Sequence, residues 1–221
     1  MDLDFSPVLE NWRFLLDGLA VTLALSALAV VTSLVLGLVM ALLRLYGPNW
    51  LARLLVFYID SMRAIPVLVV LVWIYFALPM MTGFNLPPFW SALLALTLHI
   101  AAYVAEIVRA GILSVRRGQR EAALVLGMSE AQLMREIILP QALIRMLPAI
   151  GSIISITIKD TAIATVIAVP DLIKRAETIS AQTFRPMEVF TVVMIIYFLI
   201  LLPTTRAVDI LYQRIAHRGR S

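Results

Sequence analysis

The chain contains no cysteine and only two histidines, His99 and His217. The first absence excludes disulfides and thiolate-held metals, and two histidines so far apart cannot by themselves build a metal cluster. Charge is scarce too. Asp, Glu, Lys and Arg make up 14% of the residues, where an ordinary soluble domain carries about a quarter. In their place stands apolar matter, 62% of the chain, with a mean hydropathy of +0.95. That composition assigns the chain to the membrane. No phosphate-binding Gly-x-x-x-x-Gly-Lys-Ser/Thr loop occurs, so the chain has no ATPase site of that kind. Asp2, Asp4 and Glu10 stand where a secretory leader would carry Lys or Arg, so the first apolar run is expected to stay as a span. The net charge of +4 comes from arginines beside apolar spans, which argues for basic cytoplasmic loops and against a nucleic-acid partner.

At about 20 residues per crossing, the chain holds roughly five spans. An N-terminal segment, 1–17, precedes a membrane-spanning region, 18–206, whose apolar runs cover about 18–43, 54–78, 89–113, 137–158 and 187–206. A basic tail, 207–221, follows. Gly47-Pro48-Asn49 is a turn signal, and Pro79 to Pro88, uncharged but rich in turn formers, reads as an outer loop. Arginines select the orientation. Arg44 and Arg53 mark the first turn; Arg109, Arg116, Arg117, Arg120 and Arg135 mark the 109–136 stretch; Arg206, Arg214, Arg218 and Arg220 mark the tail. Residues 1–17 carry Arg13 alone against Asp2, Asp4, Glu10 and Asp17. With five spans every basic loop falls on one side. The expectation is an outer N-terminus and a cytoplasmic C-terminus.

The 114–136 loop is the most patterned part of the chain. It reads Glu121-Ala122-Ala123, three residues, Gly127, nine residues, then Ile137-Ile138-Leu139-Pro140. Glu121 to Leu126 are mostly good helix formers and Gly127 is a natural stop. Ser129 can cap a second helix, with Gln132 in the place of the usual capping-box Glu. An ordinary amphipathic loop would also be Ala-rich. The whole spacing, however, resembles the EAA loop of permease subunits of ATP-binding-cassette importers.

Further segments resemble the polar amino-acid permeases of that class, which serve histidine, arginine, glutamine and glutamate/aspartate importers. They are Arg63-Ala64-Ile65-Pro66, Ala102 to Gly111, Leu139-Pro140-Gln141-Ala142 and Lys159-Asp160-Thr161-Ala162-Ile163. The chain departs from the common pattern at Ala64-Ile65 and at Ala162-Ile163. The resemblance implies an all-α membrane protein with the type I importer transmembrane fold and a five-helix core, in a bacterial cytoplasmic (inner) membrane. It further implies a non-enzymatic subunit with no cofactor of its own. ATP and Mg2+ would be bound by two copies of a partner ATPase, whose clefts would receive Glu121, Ala122, Ala123, Leu126 and Gly127. A second permease, identical or homologous, and an extracytoplasmic amino-acid-binding protein complete the implied assembly.

Polar side chains inside apolar spans face a bundle interior or a cavity. Thr22, Ser26 and Ser33 share one face of the first span, where helix packing is the plainer explanation. His99, Tyr103 and Glu106 share a face of the third. Ser152, Ser155 and Lys159 share one on the fourth, which ends in Lys159-Asp160-Thr161, a site with both charges and a hydroxyl. These are the candidate substrate or gate residues. Each has a plainer reading: Glu106 with Arg109, Asp60 with Arg63 and Lys159 with Asp160 are spaced to pair with each other. Two other functions compete. A membrane-embedded enzyme would need a clustered catalytic set, and an ion-coupled carrier would need more spans and an internal repeat. Neither feature is visible.

Overall fold

The computed structural model describes residues 3–218, and side chains as far as residue 214. Asp2, Arg220 and the side chains of His217 and Arg218 therefore lie outside the described residues. Every described element is helical, as expected where lipid offers no partner to a backbone N–H or C=O. A short helix α1, Ser6–Glu10, leads into α2, Trp12–Tyr46, which ends at the Gly47-Pro48 turn. Next come α3, Asn49–Ala64, and a second stretch made of α4, Val67–Val72, a π-helical turn, Trp73–Ala77, and α5, Leu78–Thr82. α6 is Pro88–Leu113 and α7 is Arg117–Val125. α8, Glu130–Gln132, passes through a π-helical turn, Leu133–Ile138, into α9, Leu139–Asp160, and a 3-10 stretch, Thr161–Ile167. α10, Leu172–Thr183, and α11, Pro186–Arg218, complete the order. Four helices are long and apolar enough to cross a membrane, or five if the α3–α5 pair is one bent span.

The structure differs from the sequence expectation in three places. The 54–78 run is not one straight helix: α3 and the stretch after it meet at 107°. Ile65 and Pro66 are extended there, because a proline ring disfavours helical backbone in the residue before it. The fourth span begins at Glu130 and not at Ile137, so the second half of the loop is already helix. Pro79 and Pro140 each lie just past the start of an α-helix that follows a π-helical turn, where a wide turn tolerates the missing N–H. The last helix runs on past Arg206 to Arg218, since a charge is no helix breaker and Pro203 sits inside it.

α6 is the central element. Small side chains let its neighbours come close: Ala92, Ala95, Ala101, Ala102 and Ala105 are fully buried along it. At Gly37 of α2 an added Cβ would stand 2.5 Å from the Val104 Cβ and 2.8 Å from the Ala101 carbonyl oxygen. Thr32 and Thr97 join the two helices by a 2.6 Å hydroxyl hydrogen bond. α9 packs on the other side of α6, and α11 crosses α9 at Gly151, where a Cβ would meet Val208 at 2.1 Å. A separate apolar cluster of Val8, Leu15, Leu172, Ile179 and Val189 ties α1 and α10 to the ends of α2 and α11.

The α2–α6 approach predicts the effect of filling it. Gly37→Leu should destabilise the protein by about 1–3 kcal/mol, the usual cost of overpacking. Gly118→Ala, where no atom lies within 4 Å, should be nearly neutral. Thermal unfolding in lipid nanodiscs reads both.

Candidate coupling surface and membrane cavity

α7 ends as its sequence predicts. Gly127 takes the left-handed conformation, φ +79°, which an L side chain would resist. Its N–H donates to the Leu124 carbonyl (3.0 Å) and the Met128 N–H to the Ala123 carbonyl (3.1 Å), the bond pair of a glycine-terminated helix. Ser129 then caps α8, and the Gln132 side chain answers as the capping-box Glu would. Glu121, Ala122 and Leu126 point outward. Ala123 does not. It is 3% exposed and buried in the same apolar cluster as Leu133 and Ile138, so it anchors α7 and offers nothing to a partner. The surface instead includes Val125, which the motif did not single out. Val125 is 87% exposed and Leu126 81%, with Leu124 beside them. Three exposed aliphatic side chains at the end of a helix lying outside the apolar spans make a surface that favours being covered.

The loop is fastened to the span that follows. Gln141 donates to the Gln119 side chain and to the Ile137 carbonyl (3.0 Å). Arg145 donates to the Ser114 carbonyl and to its hydroxyl (3.1 Å). Arg120 bridges to both Glu130 oxygens at 2.9 Å, an exposed pair that contributes little energy but sets an angle. These bonds tie the 114–136 loop to α9.

The candidate substrate residues separate into groups. Ser152, Ser155 and Lys159 line a cavity of about 310 Å3 between α9 and α11. Thr205 and Asp209 complete it from α11. Asp209 escaped the sequence reading because the helix was expected to end at Arg206; the Thr205–Asp209 spacing, one turn on one face, was the available signal. The cavity has the volume of a small-molecule site, hydroxyls, and one charge of each sign. Asp160 is half-buried at the start of the 3-10 stretch, and no ion pair joins it to Lys159 among the described residues. Thr161 is buried, its hydroxyl donating to the Ile158 carbonyl (2.8 Å).

His99, Tyr103 and Glu106 lie elsewhere. The Tyr103 hydroxyl donates to the Arg63 carbonyl (3.2 Å), and the Arg63 guanidinium sits 5.6 Å from the Tyr103 ring centre. His99 stacks obliquely on Tyr103 at 5.4 Å and is buried, with no partner for Nδ1 among the described residues. This pair therefore braces the α3–α4 break. Arg63 makes no ion pair with Asp60 among the described residues. Glu106 accepts from Arg44 at 2.6 Å and from Arg109 Nε at 3.1 Å, which joins the ends of α2 and α6. Its charge is compensated within the chain.

One buried group was invisible in the sequence. Asp171, 0% exposed, caps α10 by accepting from the Lys174 N–H (2.8 Å), while its Oδ2 has no partner. Beside it the Leu172 N–H donates to the Thr22 hydroxyl (3.1 Å), which in turn donates to the Gly18 carbonyl (3.1 Å). Thr22 thus serves packing, as does Ser26, which bonds its own helix backbone. Burial pushes the Asp171 carboxyl up to about 6, with the Lys174 N–H opposing it.

The family described as binding-protein-dependent transport system inner membrane component matches residues 33–218. The chain is 38% identical to the arginine transport system permease protein ArtQ of Bacillus subtilis (strain 168), covering 93% of this chain and 94% of that protein. It is 37% identical to the glutamine transport system permease protein GlnP of Escherichia coli (strain K12), covering 91% and 93%. A crystal structure of an amino acid ABC transporter with histidines superposes with a TM-score of 0.91 at 36% identity, over 97% of this chain and 100% of that one.

The raised Asp171 carboxyl has a measurable consequence. Between about pH 4 and pH 6 the folded state keeps a proton that the unfolded state releases, so stability declines as pH rises through that window. Asp171→Asn keeps a good cap and removes the charge. It should add roughly 1–3 kcal/mol at neutral pH and flatten the slope below it. Melting temperatures of the nanodisc-embedded protein across that pH range test both expectations.

Proposed function

The chain belongs to the family of binding-protein-dependent transport system inner membrane components, and from that membership we propose that it is the membrane-spanning permease of an ATP-driven importer of polar or charged amino acids. The observation that carries the proposal is α7: a helix outside the spans, ending in exposed Leu124, Val125 and Leu126, fastened to α9. It is a handle without a motor. The ATPase is a separate subunit, and this chain is not an enzyme. Two ATPase copies, holding ATP and Mg2+, receive α7 of this chain and of a second permease. An extracytoplasmic binding protein delivers the amino acid. ATP binding closes the ATPases, draws the two α7 helices together and swings the spans outward-open; hydrolysis resets them. In the α9–α11 cavity Lys159 faces the substrate carboxylate and Asp209 its ammonium, with Ser152 and Ser155 as hydroxyl partners. Asp160 and Thr161 mark the end of that path. The amino acids named for the related permeases support this class of cargo.

Leu126→Asp or Glu121→Lys should abolish uptake and substrate-stimulated ATP hydrolysis in an assembled complex reconstituted with its binding protein. Normal activity in both variants would sink the coupling assignment. Because the chain lacks cysteine, its orientation is also directly readable. A cysteine in place of Phe84 should react with an impermeant maleimide from outside intact cells. One in place of Arg135 should react only after the cells are opened.

A further inference from the structure

Where α2 and α6 end beside α7 there is a cavity of about 510 Å3 to which the proposed function gives no role. One wall is apolar, with Leu45, Leu113 and Ile138; the rim is cationic, with Arg116, Arg117 and Arg120. Arg120 is committed to Glu130. Arg116 and Arg117 are exposed and have no acidic partner among the described residues. The cavity lies at the level where the apolar spans stop, a level marked by exposed Tyr46 and Trp50, the residues that favour the membrane–water interface. A second basic cavity at this level, holding Arg44 and Arg53, differs because Arg44 is already neutralised by Glu106.

We propose that the Arg116–Arg117 cavity is a binding site for an anionic phospholipid, its phosphate between the two guanidiniums and an acyl chain along Leu113 and Leu45. A guanidinium matches a phosphate by paired N–H donors. A soluble phosphate would use the arginines but leave the apolar wall wet. An ATPase surface is better served by the far end of α7, where Leu124 to Leu126 project. Only a molecule that is anionic at its head and apolar below it satisfies the rim and the wall together, and basic pockets between spans are sites of that kind.

The test uses the permease–ATPase complex, purified from nanodiscs containing equal phosphatidylglycerol and phosphatidylcholine of the same chain length. Retained lipid is identified by native mass spectrometry. One basic side chain near an anionic surface is worth roughly fivefold in affinity, so two predict a phosphatidylglycerol preference on the order of tenfold to thirtyfold. R116Q/R117Q should bring the preference near unity, R116K/R117K should keep most of it, and R135Q, elsewhere on the loop, should leave it unchanged. Equal retention of both lipids by the wild type overturns the proposal, as does full preference in R116Q/R117Q. Loss of the ATPase subunit from R116Q/R117Q with lipid preference intact assigns the arginines to the ATPase and overturns it as well. Abolition of the wild-type preference by inorganic phosphate assigns the cavity to a soluble anion, with the same consequence.

Discussion

The close approach of α2 to α6 is the contact on which the rest of the structure depends. In a bilayer the hydrophobic effect does not drive one helix onto another; packing and hydrogen bonds do. Gly37 against Ala101 and Val104 supplies the packing, and Thr32 with Thr97 supplies the hydrogen bond. The register they set brings Arg44, at the end of α2, to Glu106 of α6. A slip of one helical turn, about 5.4 Å, would leave Glu106 with Arg109 of its own helix as its remaining partner. The paired helices then form a frame on which α9 packs from one side and α10 closes the end nearest α1.

The proposed coupling rests on how α7 is held. Ala123 is sunk in the core, and Gln119 and Ser114 on the near side are bonded to Gln141 and Arg145 of α9. In the proposed cycle a displaced loop would therefore pull on α9. That helix carries Ser152, Ser155 and Lys159, and its contact with α11 at Gly151 brings Thr205 and Asp209 to the same cavity. A short chain of contacts thus separates the three exposed aliphatic side chains from the polar cavity. The bend of 107° at Ile65-Pro66, braced by Tyr103 and Arg63, supplies a separate joint.

Polarity within the apolar bundle is sparing and almost wholly spent on structure. Serines and threonines mostly bond the carbonyl three or four residues back on their own helix, which satisfies the hydroxyl without a partner helix. The exceptions stand out. Thr22 joins α2 to α10 by accepting from the Leu172 N–H, Glu106 joins α6 to α2, and Lys159 and Asp209 face a cavity. Among the described residues, His99 and Asp171 each keep one buried side-chain atom without a hydrogen-bond partner.

The membrane class, the helical fold, the family and the patterned loop were legible because each rests on local or compositional signals. Length of apolar runs, the stop at Gly127 and the Ser129–Gln132 cap need only neighbouring residues. The boundaries were less legible: Pro140 and Arg206 read as ends, but a π-helical turn absorbs the first and nothing breaks the helix at the second. The inward face of Ala123, the buried carboxyl of Asp171 and the meeting of Lys159 with Asp209 in one cavity were beyond reach. The sequence by itself determined that the chain is helical and carries segments long and apolar enough to span a membrane, since those follow from hydropathy and backbone hydrogen bonding within a segment. Only the tertiary structure decided which polar residues meet, because that depends on interhelical distances and rotations set by side-chain packing between residues far apart in the chain.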